Sequence, residues 1–378
     1  MIHLYPPSIN KKALKYFKQC VSTGWVSTGG NLINKFERKI EKITGVKHAI
    51  ACNSGTSALH ISIKLSDISP GDEIIAPTLT FVATINTIIY NECNPIFMDC
   101  DKYYNIDAKK TLEFLRDQTF KKNNFTYNKK TKRKISALVV THVWGNAVDI
   151  DKLVKECKLK NIKIIEDASE SLGSRYKNGD HTGTKGLFGA ISFNSNKIIT
   201  TGCGGIILTN NLKLANKARY LTTQAKDDPI NFVHNEIGYN YRMTNISAAL
   251  GLSQLEQFKF FLKKKEIIRN YYLSKIKKIN NFELADTPQY SINNNWMNIL
   301  KIKNTKKIKK DKLIKNFLKN KIIVRPIWKL NHLQKPFKKF QNYKISNALD
   351  LVDRSLCLPS YPSLSINQLN KIISKLNG

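Results

Sequence analysis

Lys197 lies in the segment Gly189-Ala190-Ile191-Ser192-Phe193-Asn194-Ser195-Asn196-Lys197-Ile198-Ile199-Thr200-Thr201-Gly202-Cys203-Gly204-Gly205. An apolar stretch ends at Phe193. A polar turn then carries one lysine, and a threonine pair and a glycine cluster lead into Ile206-Ile207-Leu208. Upstream, Ile164-Ile165-Glu166-Asp167 reads as a strand that ends in acid. A lysine on a loop can hold an aldehyde as a Schiff base, provided its amine is neutral. An aspartate at a strand end can pair with a protonated ring nitrogen. Pyridoxal 5′-phosphate chemistry needs both groups. A lone lysine is more often a solvated surface residue. Lys197 is set apart by its place between two apolar stretches and beside glycines.

These groups need elements to position them. Short apolar, β-branched segments read as strands at His48–Asn53, Glu73–Thr78, Pro95–Asp99, Ile135–Thr141, Ile162–Asp167, Gly189–Asn194 and Gly205–Thr209. Helical patterns fall between the early ones, as at Thr56–Leu65 and Ile150–Lys160. Such alternation predicts a mostly parallel sheet covered by helices. Ligands of such sheets collect at the carboxyl ends of the strands. Asn53-Ser54-Gly55-Thr56-Ser57, Pro77-Thr78-Leu79-Thr80-Phe81 and Glu166-Asp167 all fall there. The first is a phosphate cradle at a helix start, or simply an N-cap with a tight turn. Phe81 is a ring that stacks on a heterocycle, or a core residue. Gly202, Gly204 and Gly205 let the backbone approach a cofactor, or make a hairpin turn. A long helical stretch from Gln254 to about Lys278 opens a smaller lysine-rich part, which carries Arg325-Pro326-Ile327-Trp328. The polar run Lys121–Lys134 reads as an exposed insertion or loop.

Composition sets the class. A chain of 378 residues holds about two domains and a large core. No apolar run reaches the roughly 18 residues of a membrane span. The start, Met1-Ile2-His3-Leu4-Tyr5-Pro6-Pro7, lacks the pattern of a signal peptide, so the expectation is a cytoplasmic protein. Lys and Arg total 62 against 28 Asp and Glu, a formal charge of +34. The positive residues recur in short runs, not one stripe, and Asn and Ile are abundant too. That reads as AT-rich coding bias on solvated faces, with steering of an anionic substrate as a further use. A polyanion partner is the alternative; neither a nucleic-acid nor a membrane partner is expected. Seven cysteines at irregular spacing, with no C-x-x-C pair, argue against a disulfide framework or a metal site.

With these motifs in hand, the chain resembles the DegT/DnrJ/EryC1/StrS family of nucleotide-sugar aminotransferases, within the fold-type I pyridoxal phosphate enzymes. The resemblance runs almost end to end. It covers Gly24 to Gly29, Asn53 to Leu59, Pro77 to Ala83, Glu166 to Gly173, Ser192 to Gly205, Gly238 to Thr244 and Arg325 to Trp328. The resemblance is strongest to the branch that aminates C4 of UDP- or GDP-linked 4-keto-6-deoxy-acetamido sugars, on routes to bacillosamine and legionaminic acid. Perosamine synthase is the nearest cousin. The fold it implies is aspartate aminotransferase-like, with a mostly parallel seven-stranded sheet. Residues 1–253 would form the cofactor-binding domain with an N-terminal arm, and 254–378 a smaller α+β domain.

The resemblance also implies roles. Lys197 holds the cofactor and moves the proton, and Asp167 pairs with its ring nitrogen. Phe81 stacks on the ring. Ser54, Gly55, Thr56, Ser57 and Ser192 cradle the phosphate. Asn240 and Arg242 reach the cofactor of a neighbouring subunit, which implies a homodimer with shared sites. Trp25, Ser27 and Arg325 shape the sugar pocket. L-glutamate is the implied amino donor, and pyridoxamine 5′-phosphate the intermediate form of the cofactor. No metal is implied. Most of the broad family has glutamine where Glu170 stands; the carboxylate reads as a subgroup mark, and it would repel a ring phenolate unless protonated or bridged by water. Two other readings stand beside this one. A sugar dehydratase on the same fold would replace the lysine, often with histidine. A basic binding protein without activity would rest on the +34 charge alone.

Overall fold

A computed structural model describes residues 1–376. The central sheet has eight strands. In spatial order they are His48–Cys52, Gly205–Thr209, Phe188–Ser192, Lys163–Asp167, Ile135–Thr141, Glu73–Pro77, Asn94–Met98 and Asn342–Tyr343. All seven segments expected as strands are in it. Gly205–Thr209 runs antiparallel to both neighbours, and the remaining pairs are parallel. Ile135–Thr141 is buried at every position, which is why these strands read as apolar runs without alternation. Helices cover both faces; Gly55–Lys64 and Asp151–Leu159 are two of the connecting ones.

The eighth strand corrects the seven-stranded expectation. Asn342–Tyr343 pairs with Phe97 and Met98 from a distant part of the chain. Two residues are too few to show a period. The run Lys121–Lys134 is largely exposed, as an insertion would be, but it is not a plain loop. Its first half joins a hairpin, Thr119–Lys122 with Phe125–Asn128. Asn123 and Asn124 turn the chain with φ of 48° and 63°, the left-handed pair that a two-residue hairpin turn requires. Phe120 stacks on Tyr127 at 5.6 Å across it. Polar side chains on one face had masked that alternation.

A second, antiparallel sheet has the order Phe282–Leu284, Asn298–Ile302, Ser355–Leu358, Arg325–Pro326. The helix leading to it begins at Phe258, not at Gln254, because the chain turns at Gln257 after the helix Asn245–Leu255. The N-terminal arm lies against this second sheet's part of the chain. The Ile2 amide donates to Lys321 O at 2.8 Å, and Ser360 N donates to Leu4 O at 2.8 Å. That places Tyr5 beside the cavity described next.

Candidate active site

The loop 193–204 joins two antiparallel strands, so Lys197 is returned to the carboxyl ends of the parallel ones. There it meets a cavity of about 200 Å³. The lining includes Ser54, Gly55, Thr56, Phe81, Asp167, Glu170, Ser192 and Lys197, eight of the expected site residues. The Lys197 side chain is only 13% exposed. Its Nζ donates to Glu170 Oε1 at 3.2 Å and lies 4.4 Å from the centre of the Trp296 ring. Glu170 is buried, and its Oε2 accepts from the Trp144 amide at 2.8 Å. Burial pushes the Glu170 carboxyl above its ordinary value, against the pull of Lys197 and that amide.

Asp167 ends the strand Lys163–Asp167 and is buried. Its Oδ2 accepts from Thr84 Oγ1 at 2.7 Å and its Oδ1 from the Ser169 amide at 3.1 Å. Thr84 Oγ1 is 2.9 Å from Thr80 Oγ1, which is 3.1 Å from Thr141 Oγ1. This hydroxyl chain fixes the carboxylate's plane. Glu166, the preceding residue, faces the other side of the sheet. It meets His142 Nε2 at 2.9 Å and accepts the amides of Gly183, Lys185 and Gly186, so its work is to hold a loop.

At the start of helix Gly55–Lys64, Ser54 Oγ accepts from Ser57 N at 3.0 Å. Ser57 Oγ donates to Asn53 Oδ1 at 2.6 Å and is not part of the lining. The N-cap reading therefore holds for Ser54 and Ser57. It leaves the Gly55 and Thr56 amides, among the described residues, without a protein acceptor. Two free N–H groups on a helix axis suit a phosphate. A Cβ on Gly55 would stand 2.7 Å from Ser192 Cβ, so only glycine brings that helix start to Ser192. The glycine cluster divides: Gly202 turns the chain with φ of 80°, as the turn reading expects, while Gly205 needs a different explanation. A Cβ on Gly205 would meet Ser54 O at 2.3 Å, so chain packing, not a cofactor, requires that glycine.

Phe81 is 54% exposed, so it is not a core residue. It faces the cavity beside Trp328, whose ring centre is 6.1 Å away. Trp25, Ser27 and Arg325 are exposed and outside the lining of this chain's cavity. Asn240 and Arg242 are outside it too, although their segment runs beside it: Asn53 N donates to Tyr241 O at 2.7 Å. Sequence reasoning missed Tyr5, Thr84, Asn196 and Trp296, whereas Trp328, in the Arg325–Trp328 segment that the sequence singled out, lines the cavity. Thr84 had a signal, because it follows Thr80 by one helical turn. Trp296 had none; it follows three asparagines in a polar stretch.

The parts fit a pyridoxal phosphate. An amine and a buried carboxylate share one cavity, and two free amides with serine hydroxyls stand ready for an anion. The comparisons agree. The sequence pattern of the DegT/DnrJ/EryC1/StrS aminotransferase family matches residues 7–377. The chain is 35% identical to a GDP-perosamine synthase of Escherichia coli O157:H7, over 100% of this chain and 98% of that one. It is 29% identical to a UDP-4-amino-4,6-dideoxy-N-acetyl-beta-L-altrosamine transaminase of Campylobacter jejuni serotype O:23/36, over 90% of this chain and 88% of that protein. The solved structure of Helicobacter pylori PseC, an aminotransferase involved in the biosynthesis of pseudoaminic acid, superposes with a TM-score of 0.90. The two share 25% identity, over 100% of this chain and 98% of the other. The fold and site thus define a sugar aminotransferase that depends on pyridoxal phosphate. The chain belongs to the DegT/DnrJ/EryC1/StrS aminotransferase family. Among the described residues, no helix is long and apolar enough to cross a membrane.

Proposed function

We propose that this enzyme moves the amino group of L-glutamate to C4 of a nucleotide-linked 4-keto-6-deoxy (acetamido) sugar. The product would be a 4-amino sugar for cell-surface glycan synthesis. The observation that carries the reading is the convergence of Lys197, Glu170 and Asp167 on one cavity with the free amides of Gly55 and Thr56. Lys197 would hold the cofactor through its amine and, once freed, carry a proton to and from the reacting carbon. Asp167, fixed by Thr84, would keep the ring nitrogen protonated. Gly55, Thr56, Ser54 and Ser192 would hold the phosphate, and Phe81 would cover the ring. The bound cofactor supplies an electron-accepting ring that stabilises charge at the carbon losing its proton. Asn240 and Arg242, set outside this chain's own cavity, would serve the site of a second copy in a homodimer. The full-length likeness to a GDP-perosamine synthase favours a GDP-linked sugar as the second reading of the same C4 chemistry.

The test is visible absorbance. Purified protein with pyridoxal phosphate should show a yellow band that collapses on addition of L-glutamate. A 4-keto UDP- or GDP-sugar should restore it, and the sugar that does so decides between the two readings. Lys197→Ala should fold normally, lack that band and lose turnover. Near-normal turnover in that variant would remove the assignment.

A further inference from the structure

Lys265 is a buried lysine without an acid. It sits inside helix Phe258–Ile276 and is 2% exposed. Among the described residues it has no ion-pair partner, and burial alone lowers its pKa to about 7. Its Nζ instead donates to two backbone carbonyls, Trp296 O at 2.6 Å and Ser360 O. An apolar side chain of the same length would fill this space without the cost of burying an amine. Packing therefore does not explain the lysine; the two carbonyls do.

Both carbonyls lead to the active site. Trp296 is held at three further points. Its amide donates to Asn294 Oδ1 at 2.9 Å, its ring N–H donates to Asn196 O at 2.8 Å, and Tyr5 packs on its ring at 5.8 Å. Asn196 immediately precedes Lys197, and Lys197 Nζ lies 4.4 Å from the centre of that same ring. Ser360 pairs with Leu4, and so with the arm that carries Tyr5. Lys265 is thus the point where the helix, the N-terminal arm and the Trp296 turn are tied together behind the amine.

We propose that Lys265 is a positioning residue, which by holding the Trp296 carbonyl sets the indole face against Lys197 and so sets the reactivity of the Lys197 amine. The inference rests on the reading of Lys197 as the cofactor-bearing lysine. An indole face holds the charged amine by a cation–π contact, and an amine so held is slower to reach an electrophile. When Trp296 swings away, Lys197 should become more reactive.

The experiment is competitive arylation of the full chain loaded with pyridoxamine 5′-phosphate, in which the Lys197 amine is free. Peptide mass spectrometry reads each lysine. In Lys265→Met, Lys197 should label about two- to fivefold faster, the change expected on loss of one cation–π contact. Lys185, with a side chain 14% exposed and its own carboxylate partners, should keep its rate. Trp296→Phe should speed Lys197 in the same way, and the double variant should add nothing to Trp296→Phe alone. An unchanged Lys197 rate, a matching rise at Lys185, or additive effects in the double variant would each overturn the proposal. Should Lys265→Met not fold, Lys265→Leu, which equally removes the donor to the Trp296 carbonyl, is read in the same assay with the same expected rise. Equal labelling of Lys197 in the pyridoxal and pyridoxamine forms would mark a different failure, that of the reading of Lys197 itself.

Discussion

Glu170 is a carboxylate placed where its charge is costly, and Lys197 only partly offsets that cost. Its folded value is raised above the ordinary 4.5, with burial the largest cause. A raised carboxyl adds stability in its protonated form. That contribution is fully present below 4.5 and is lost as pH rises through the folded value. Glutamine mimics the protonated form at every pH, and its carbonyl oxygen can still accept from Lys197 Nζ or the Trp144 amide. Glu170→Gln should therefore melt at a higher temperature than the parent at about pH 8, with the gap closing toward about pH 4. Thermal melts at a series of pH values test this. A variant less stable than the parent at alkaline pH would show that the Lys197 pair outweighs burial.

At the scale of elements, Asp99 is the join between the edge of the large sheet and the C-terminal part of the chain. It follows the strand Asn94–Met98 and is fully buried. It accepts from Lys110 Nζ at 2.5 Å, and from the amides of Ser346, Asn347 and Ala348 at 3.0, 3.0 and 2.8 Å. Those amides open the helix Asn347–Arg354. Burial pushes the Asp99 carboxyl up, but Lys110 and the three amides together hold it below its ordinary value. Asp99→Ala would leave a lysine and a helix start without their acceptor, at a cost of about 3 kcal/mol. Urea unfolding with an unchanged slope would read this as a lower midpoint. A loss below about 0.5 kcal/mol would mean that water replaces the carboxylate without penalty. This join also shows what a sequence reveals. The seven long strands were legible because burial on both faces leaves an apolar run. Asn342–Tyr343, docked beside that join, was not, because pairing partners far apart in sequence decide it. The site divides in the same way. Lys197, Asp167 and the Gly55 turn lie in local motifs. Trp296 and Tyr5 reach the cavity only through the second sheet and the N-terminal arm, and no local pattern records that.

At the scale of the whole molecule, six of the expected site residues lie outside the cavity of one chain, Asn240 and Arg242 among them. Asn240 and Arg242 lie on a segment that borders the cavity without lining it, and that segment continues from a strongly exposed apolar stretch. Ile230 is 83% exposed, Phe232 72% and Ile237 85%. Such side chains in series suit burial against another surface. A two-fold dimer would turn the segment of each copy toward the other's cavity, since an isologous contact exchanges the same patch in both directions. This arrangement has a quantitative consequence. On the proposed reading, Lys197→Ala would disable the cavity of its own chain and Arg242→Ala the cavity of the partner. Each variant alone should be inactive or strongly impaired. When the two are mixed in equal amounts and allowed to exchange subunits, half of the dimers combine one of each. In such a dimer one cavity carries both defects and the other carries neither. Activity should therefore return to about one quarter of the parent's, from half the dimers with half their sites intact. Turnover measured before and after exchange, beside sedimentation to establish the dimer, decides the matter. No recovery from dimers that do exchange would place Arg242 with its own chain's site, or outside the chemistry altogether.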